Sequence, residues 1–206
     1  MKRNTKEEIL LESLKLFARD GYEGVTVRNI AEKLGIRQSS LYKHYKSKQD
    51  IFISILKRMN EEFQTKTTSL NLPEGDFSQM ADLSGHEPLT AIKVLGEGLF
   101  RYWTEDEYAS DFRRMLILEQ YRSNQISALY QQYLAGGVIE YQTKFFAEMI
   151  QQGYFKEHNA KQLAINFYGP VFLLMTVYDG TENKNGLVDL VLAHIEQFVM
   201  KYTVNG

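Results

Sequence analysis

Apolar residues recur every three to four positions along most of this chain, and strict apolar–polar alternation is absent. That spacing puts apolar side chains on one face of a helix, so the pattern predicts an all-α protein. In the first periodic stretch Leu10, Leu14, Phe17 and Ala18 share a face. Thr5-Lys6-Glu7-Glu8 ahead of it reads as a capping box, and Gly21 behind it as a C-terminal stop. A second helix opens at Thr26, a good N-cap residue, and runs through Val27, Ile30, Ala31 and Leu34 to Gly35. A short third helix covers roughly Gln38 to Tyr45. Ser47-Lys48-Gln49-Asp50 then starts a fourth, which continues through Ile51, Ile55, Met59 and Phe63.

The periodicity fails from Thr67 to Pro88, where Pro73, Gly75, Gly85 and Pro88 punctuate a polar stretch, and a loop is expected there. It then resumes and predicts helices near 89–104, 107–121, 125–152, 160–179 and 187–202. Gly136-Gly137 interrupts the third of these, and Pro170 should kink the fourth.

Charge divides the chain unevenly. Residues 1–48 hold 11 Lys and Arg against 6 Asp and Glu, leaving 13 and 20 for the remainder. A basic segment on an acidic body implies a polyanionic partner for the basic part. The basic residues gather in GIRQSSLYKHYKSK, residues 35–48, which contains no acid. At 44% hydrophobic and 24% charged the chain is globular. It has no cysteine, hence no disulfide framework, and no apolar leader or run long enough to span a bilayer. A cytoplasmic protein without membrane association is expected.

The second helix, the break at Gly35-Ile36 and the third helix together make a helix-turn-helix, because glycine permits the sharp turn. On a helical wheel Leu41 and Tyr45 face inward with Ile30 and Leu34. Ser39, Tyr42, Lys43 and Lys46 fall on the other side. A short helix with small and hydrogen-bonding residues outward suits a major groove. Lys43, Lys46 and Lys48 would neutralise phosphates, and the Tyr42 hydroxyl can donate to one.

Residues 8–63 resemble the DNA-binding region of the TetR family of transcriptional regulators. The resemblance rests on ILLESLKLFARDGYEGVTVRNIAEKLGIRQSSLYKHYKSKQDIF: Leu-Phe-Ala then Gly-Tyr at 16–22, Thr26, Ile30-Ala31, Gly35, Leu-Tyr-x-His-Tyr at 41–45 and Ser47-Lys48. It implies that Thr26 and Arg28 touch phosphates, and that Arg37, Gln38, Ser39 and Lys43 approach base edges. It also implies that Tyr42, His44 and Lys48 hold phosphates. A structural role for His44 is the alternative. Tyr45 stands where the family usually shows Phe, so its hydroxyl needs a partner. Arg37 stands where a small capping residue is frequent, so it either reads guanine or grips phosphate.

Beyond residue 47 the chain carries no nucleophile elbow, phosphate loop or dinucleotide fingerprint, and His86, His158 and His194 lack metal-ligand spacing. No enzyme, cofactor or metal is expected. Aromatics make up 13% of the chain. Tyr102, Trp103, Tyr121, Phe145, Met149, Phe167, Tyr168, Phe172 and Met175 are candidate linings for an apolar pocket, with Glu119, Arg122, Gln142 and Asp179 to orient a ligand. Each is also a plausible packing residue on its own. The last two helices are apolar on more than one face, which suggests a twofold dimer through a four-helix bundle using Leu173, Val188, Leu192, Ile195 and Val199. The expected organisation is a helix-turn-helix domain over 1–47 and a helical effector-binding and dimerisation domain over 48–206. The expected function is a repressor that binds a palindromic operator in double-stranded DNA as a homodimer and is released by a small apolar or aromatic effector. Control by a protein partner, without an effector, is the alternative.

Overall fold

The computed structural model describes residues 4–69 and 88–204. Ten α-helices occur among them: α1 (Thr5–Asp20), α2 (Val27–Lys33), α3 (Gln38–Leu41), α4 (Lys48–Ser69), α5 (Pro88–Glu105), α6 (Glu107–Glu119), α7 (Asn124–Leu134), α8 (Gly136–Gln151), α9 (Ala160–Gly180) and α10 (Leu187–Tyr202). The expected loop begins later than the sequence suggests, because α4 runs on through Ser69. The rest of it, residues 70–87, lies outside the described residues.

Local chemistry sets most of the helix ends. Thr26 caps α2 in a reciprocal box with Asn29: its hydroxyl accepts the Asn29 amide at 3.2 Å, and Asn29 Oδ1 accepts the Thr26 amide at 2.9 Å. Leu34, Gly35 and Ile36 then close the helix. Gly35 takes φ +65, its amide donates to Glu32 and that of Ile36 to Ala31, which is the Schellman pattern. The cap of α1 sits one residue earlier than expected. Asn4, not Thr5, accepts from an amide, that of Glu7 at 3.4 Å. The helix expected over 125–152 is two helices, α7 and α8, broken at Ala135. Gly137, the second residue of α8, leaves no room for a side chain, because a Cβ there would collide with the Gln132 carbonyl. By contrast α9 continues through Pro170.

The chain forms two compact units. The first combines residues up to Thr65 with 107–130, so the unit holding the helix-turn-helix extends past residue 47. Ile9, Leu14, Phe17, Ile30, Leu41, Ile51 and Ile55 are buried in it with Phe112 and Leu116 of α6. Each such side chain contributes about 1.5–3 kcal/mol by burial. The Tyr108 hydroxyl donates to the Ile55 carbonyl at 2.9 Å, and Arg58 lies 4.6 Å from the Tyr108 ring centre. Arg58 also pairs with Glu62 at 2.6 Å and with Glu7.

The second unit comprises 66–106 and 131–206. Here α9 packs against α5, α8 and α10. Phe146 is the hub of an aromatic cluster, 5.0 Å from Phe145, 5.5 Å from Phe155, 5.7 Å from Phe167 and 5.3 Å from Phe198, centre to centre. An antiparallel bridge of Phe155 to Thr203 fixes the segment after α8 against the end of α10.

Candidate nucleic-acid interface

The third helix is shorter than its sequence suggests. It is helical over Gln38–Leu41 and tightens into turns, with the amide of His44 donating to Leu41 and that of Lys43 to Ser40. Leu41 and Tyr45 still point inward and are buried with Ile30. The outer side carries Gln38, Ser39, Tyr42, Lys43 and His44, all exposed, with Tyr42 at 51%. Arg37 occupies the N-cap position, but its side chain makes no capping bond, so the guanidinium is not spent on the helix end.

The remaining expected contacts have local partners. Thr26 is tied up in its capping box. Arg28 Nε donates to Glu32 Oε1 at 2.7 Å on the exposed side of α2, and that bond raises the Arg28 pKa. Lys48 Nζ donates to the Tyr22 carbonyl at 2.8 Å and lies 4.2 Å from the Tyr22 ring centre. The start of α4 is capped by Ser47, whose hydroxyl accepts the Asp50 amide at 3.1 Å, while Asp50 accepts the Lys46 amide at 2.9 Å. Burial raises the phenol pKa of Tyr22 and of Tyr45. The outcome is an exposed face of donors, Arg37, Gln38, Ser39, Tyr42 and Lys43. Such a face can hydrogen-bond base edges while lysines neutralise phosphates.

The candidate pocket residues are placed differently from one another. Tyr102, Trp103, Phe145, Met149, Phe167, Tyr168, Phe172 and Met175 all belong to the second unit. Tyr102 and Trp103 pack edge-on at 5.3 Å, and the Tyr168 hydroxyl donates to the Leu134 carbonyl at 3.0 Å. Tyr121 does not join them. It belongs to the first unit and is 90% exposed, because it falls in the turn after α6. Glu119 and Arg122 also belong to that unit and bond to each other, at 2.9 Å. Asp179 is exposed. Gln142 alone of the four polar candidates turns a buried oxygen into the second unit, and its Oε1 has no hydrogen-bond partner among the described residues. Phe155, outside any helix, joins the aromatic cluster without being among the sequence candidates. It sits in the isolated bridge to Thr203, a position that leaves no periodic signal.

Among the expected interface residues, Ile195 and Val199 are buried inside their own chain. Ile195 is 0% exposed, and a Cβ on Gly96 would collide with its Cδ1. The stripe Val191, Ile195, Phe198 and Tyr202 packs within its own unit. Val188 and Leu192 are half-buried. Leu173 is 62% exposed, and Ile165 and Val177 of the same helix are exposed as well, as are Leu190 and Met200 of α10.

None of the described helices is long and apolar enough to cross a membrane. Comparison with known proteins points the same way as the interface. Residues 9–55 match the model of bacterial regulatory proteins, tetR family. The HTH-type transcriptional regulator YerO of Bacillus subtilis, itself uncharacterised, is 39% identical over 98 residues, which cover 42% of this chain and 34% of YerO. The matched stretches thus span roughly a third of the curated relatives' own length. Among solved structures, the fatty acid degradation regulator FadR from Bacillus halodurans superposes with a TM-score of 0.64 at 19% identity, covering 97% of this chain and 96% of that one. SmeT, the repressor of the Stenotrophomonas maltophilia multidrug efflux pump SmeDEF, gives 0.65 at 16% identity, covering 99% and 93%. SmeT has also been solved in complex with triclosan. At these identities the likeness is one of fold.

Proposed function

We propose that this chain, whose residues 9–55 match the tetR family of bacterial regulatory proteins, is a repressor that binds a palindromic operator as a homodimer and releases it on binding a small apolar ligand. The observation that carries the reading is the outer face of α3. Arg37, Gln38, Ser39, Tyr42 and Lys43 are presented to solvent there by the burial of Leu41 and Tyr45 behind them. Two such faces related by a twofold axis would enter successive major grooves. The exposed apolar residues Ile165, Leu173, Val177 and Leu190 supply the surface that a second copy would cover.

The ligand part of the reading draws on the aromatic and methionine content of the second unit and on the buried, unpartnered Gln142 oxygen. SmeT, of the same fold, has been solved with triclosan. A ligand favouring a conformer in which the two α3 helices are wrongly spaced opposes DNA binding by linkage. The close ring packing of Phe146, Phe155, Phe167 and Phe198 favours a second reading, in which that interior is filled and a protein partner supplies control.

The test is selection of bound sequences from random duplex DNA. An enriched palindrome supports the reading. A pool that stays random overturns it.

A further inference from the structure

Glu119, the last residue of α6, is fully buried, yet its Oε2 has no hydrogen-bond partner among the described residues. Its Oε1 accepts from Arg122 Nη1 at 2.9 Å, and the Arg122 side chain is 59% exposed. Carboxylates are seldom buried with so little compensation, because loss of water opposes the charged form. The surroundings supply a reason for this one. A Cβ on Gly21 would collide with Glu119 Oε1 and stand 3.1 Å from Arg122 Nη1. Gly21 ends α1 with φ +79, and its amide donates to the Phe17 carbonyl at 3.1 Å. A side chain is therefore disfavoured there twice, by backbone conformation and by the carboxylate.

The next residue is Tyr22. Its ring packs on Phe17 and Phe52, at 5.1 and 5.0 Å. Its hydroxyl donates to Gln49 Oε1 at 2.8 Å, and its carbonyl accepts from Lys48 at 2.8 Å. Lys48 opens α4, just after the turn that follows α3. One line of contacts thus runs from Arg122 through Glu119, Gly21 and Tyr22 to Lys48, all within the first unit.

We propose that Glu119 is a positioning residue for DNA binding: held by Arg122, it fixes the Gly21–Tyr22 turn, and that turn aims the Lys48 ammonium at a DNA phosphate. The inference rests on the DNA-binding reading above. Glycine is the residue whose backbone wanders most when nothing presses on it. Without the carboxylate the Tyr22 carbonyl loses its fixed direction, and Lys48 must be ordered at the moment of binding, at an entropic cost that a pre-aimed side chain avoids.

The experiment uses the duplex enriched by selection on the full chain. Its affinity is measured against salt for the wild type, Glu119→Ala, Lys48→Ala and the double variant. Glu119→Ala is expected to bind about tenfold more weakly, the size of one charged hydrogen bond. Its slope of log affinity against log salt should be shallower by about 0.9 for each phosphate that is no longer neutralised. In the Lys48→Ala background the same substitution should cost almost nothing. A merely structural role would lower the melting temperature and weaken binding equally in both backgrounds. That result, or unchanged affinity in Glu119→Ala, overturns the proposal. Should Glu119→Ala fail to fold, Arg122→Gln, at the exposed end of the pair, carries the test with the same expected signature. If the wild type selects no sequence, the DNA-binding reading falls and this inference with it. If the wild type selects one and the effects add, only the positioning role falls.

Discussion

The hydroxyl of Tyr45, at the end of the turn after α3, donates to the main-chain carbonyl of Lys6 in the first turn of α1, at 3.2 Å. The ring is buried, so this bond is the means by which a tyrosine is accommodated on the inner side of the helix-turn-helix. Tyr45→Phe should cost about 0.5–1.5 kcal/mol of stability, as one neutral hydrogen bond does. Denaturant unfolding of the two proteins, with the slope unchanged, checks it.

Binding to the selected duplex should be steeply salt-dependent. With roughly 6–10 phosphate contacts in a dimer, affinity falls by ~10³–10⁵ between 50 and 200 mM salt. Gln38→Ala or Arg37→Ala should relax preference at particular base pairs, by ~1–3 kcal/mol if the contact is bidentate. Lys43→Ala, which stands on the same face, separates reading a base from gripping a phosphate: the salt slope drops only if Lys43 grips a phosphate. Titrations against single-base variants of the duplex read out both.

Leu173→Glu should give a folded monomer. The position is exposed in one chain, so folding does not oppose the charge, whereas a dimer interface there would bury it unpaired at about 3–5 kcal/mol. Ile195→Glu should instead unfold the protein, because that side chain lies inside its own unit. Sedimentation with circular dichroism distinguishes the two. A Leu173→Glu dimer would exclude this face.

Alkaline pH should destabilise the fold through Tyr108 and Tyr141, whose phenol pKa values burial raises well above the usual tyrosine range. Below about pH 10 the phenols are neutral in both folded and unfolded chains. Above it the unfolded chain loses protons that the folded chain keeps, so stability falls as pH rises, by up to about 1.4 kcal/mol per pH unit for each phenol. In Tyr108→Phe the fall above pH 10 should be shallower, and the loss of the bond to Ile55 should appear at neutral pH. Urea midpoints from pH 8 to 11 test both.

Trp103, the only tryptophan, is buried in the second unit beside Tyr102. A ligand that enters that unit should change its fluorescence and, at the same concentrations, release the selected duplex. A coupling of ~1–3 kcal/mol is enough to change occupancy ~5–150-fold. Gln142→Leu should weaken a ligand that donates to the buried oxygen and leave a purely apolar one unaffected.

How far the sequence can be read differs from place to place for physical reasons. Thr26 and Gly35 are legible because a cap and a positive φ are decided within a few residues, and the structure has both where the sequence puts them. The inward pair Leu41 and Tyr45 is legible because wheel position alone sorts it from Tyr42 and Lys43. The last helix is different. Its sequence shows apolar residues on two faces but not which face its own chain covers: Ile195 lies inside, and Leu190, which the pattern does not set apart, is exposed. Tyr121 is not legible, because chain position near other aromatics says nothing about which unit a turn belongs to. Glu119 is least legible of all. Nothing near it announces burial, and the residue it presses on, Gly21, is brought to it only by the packing of α1 on α6.

That packing also bears on how such a protein could be rebuilt. The unit containing α3 is assembled from two separate stretches of chain, residues up to Thr65 and residues 107–130. Exchanging operator preference by grafting the first 47 residues of a relative would import α1 without the α6 that packs against it, setting a foreign α1 surface against Phe112, Leu116 and Glu119. A hybrid spliced at one peptide bond inherits a mismatched seam. A hybrid that carries both stretches across keeps that seam intact, and it is the smallest cassette in which DNA reading could be transplanted whole.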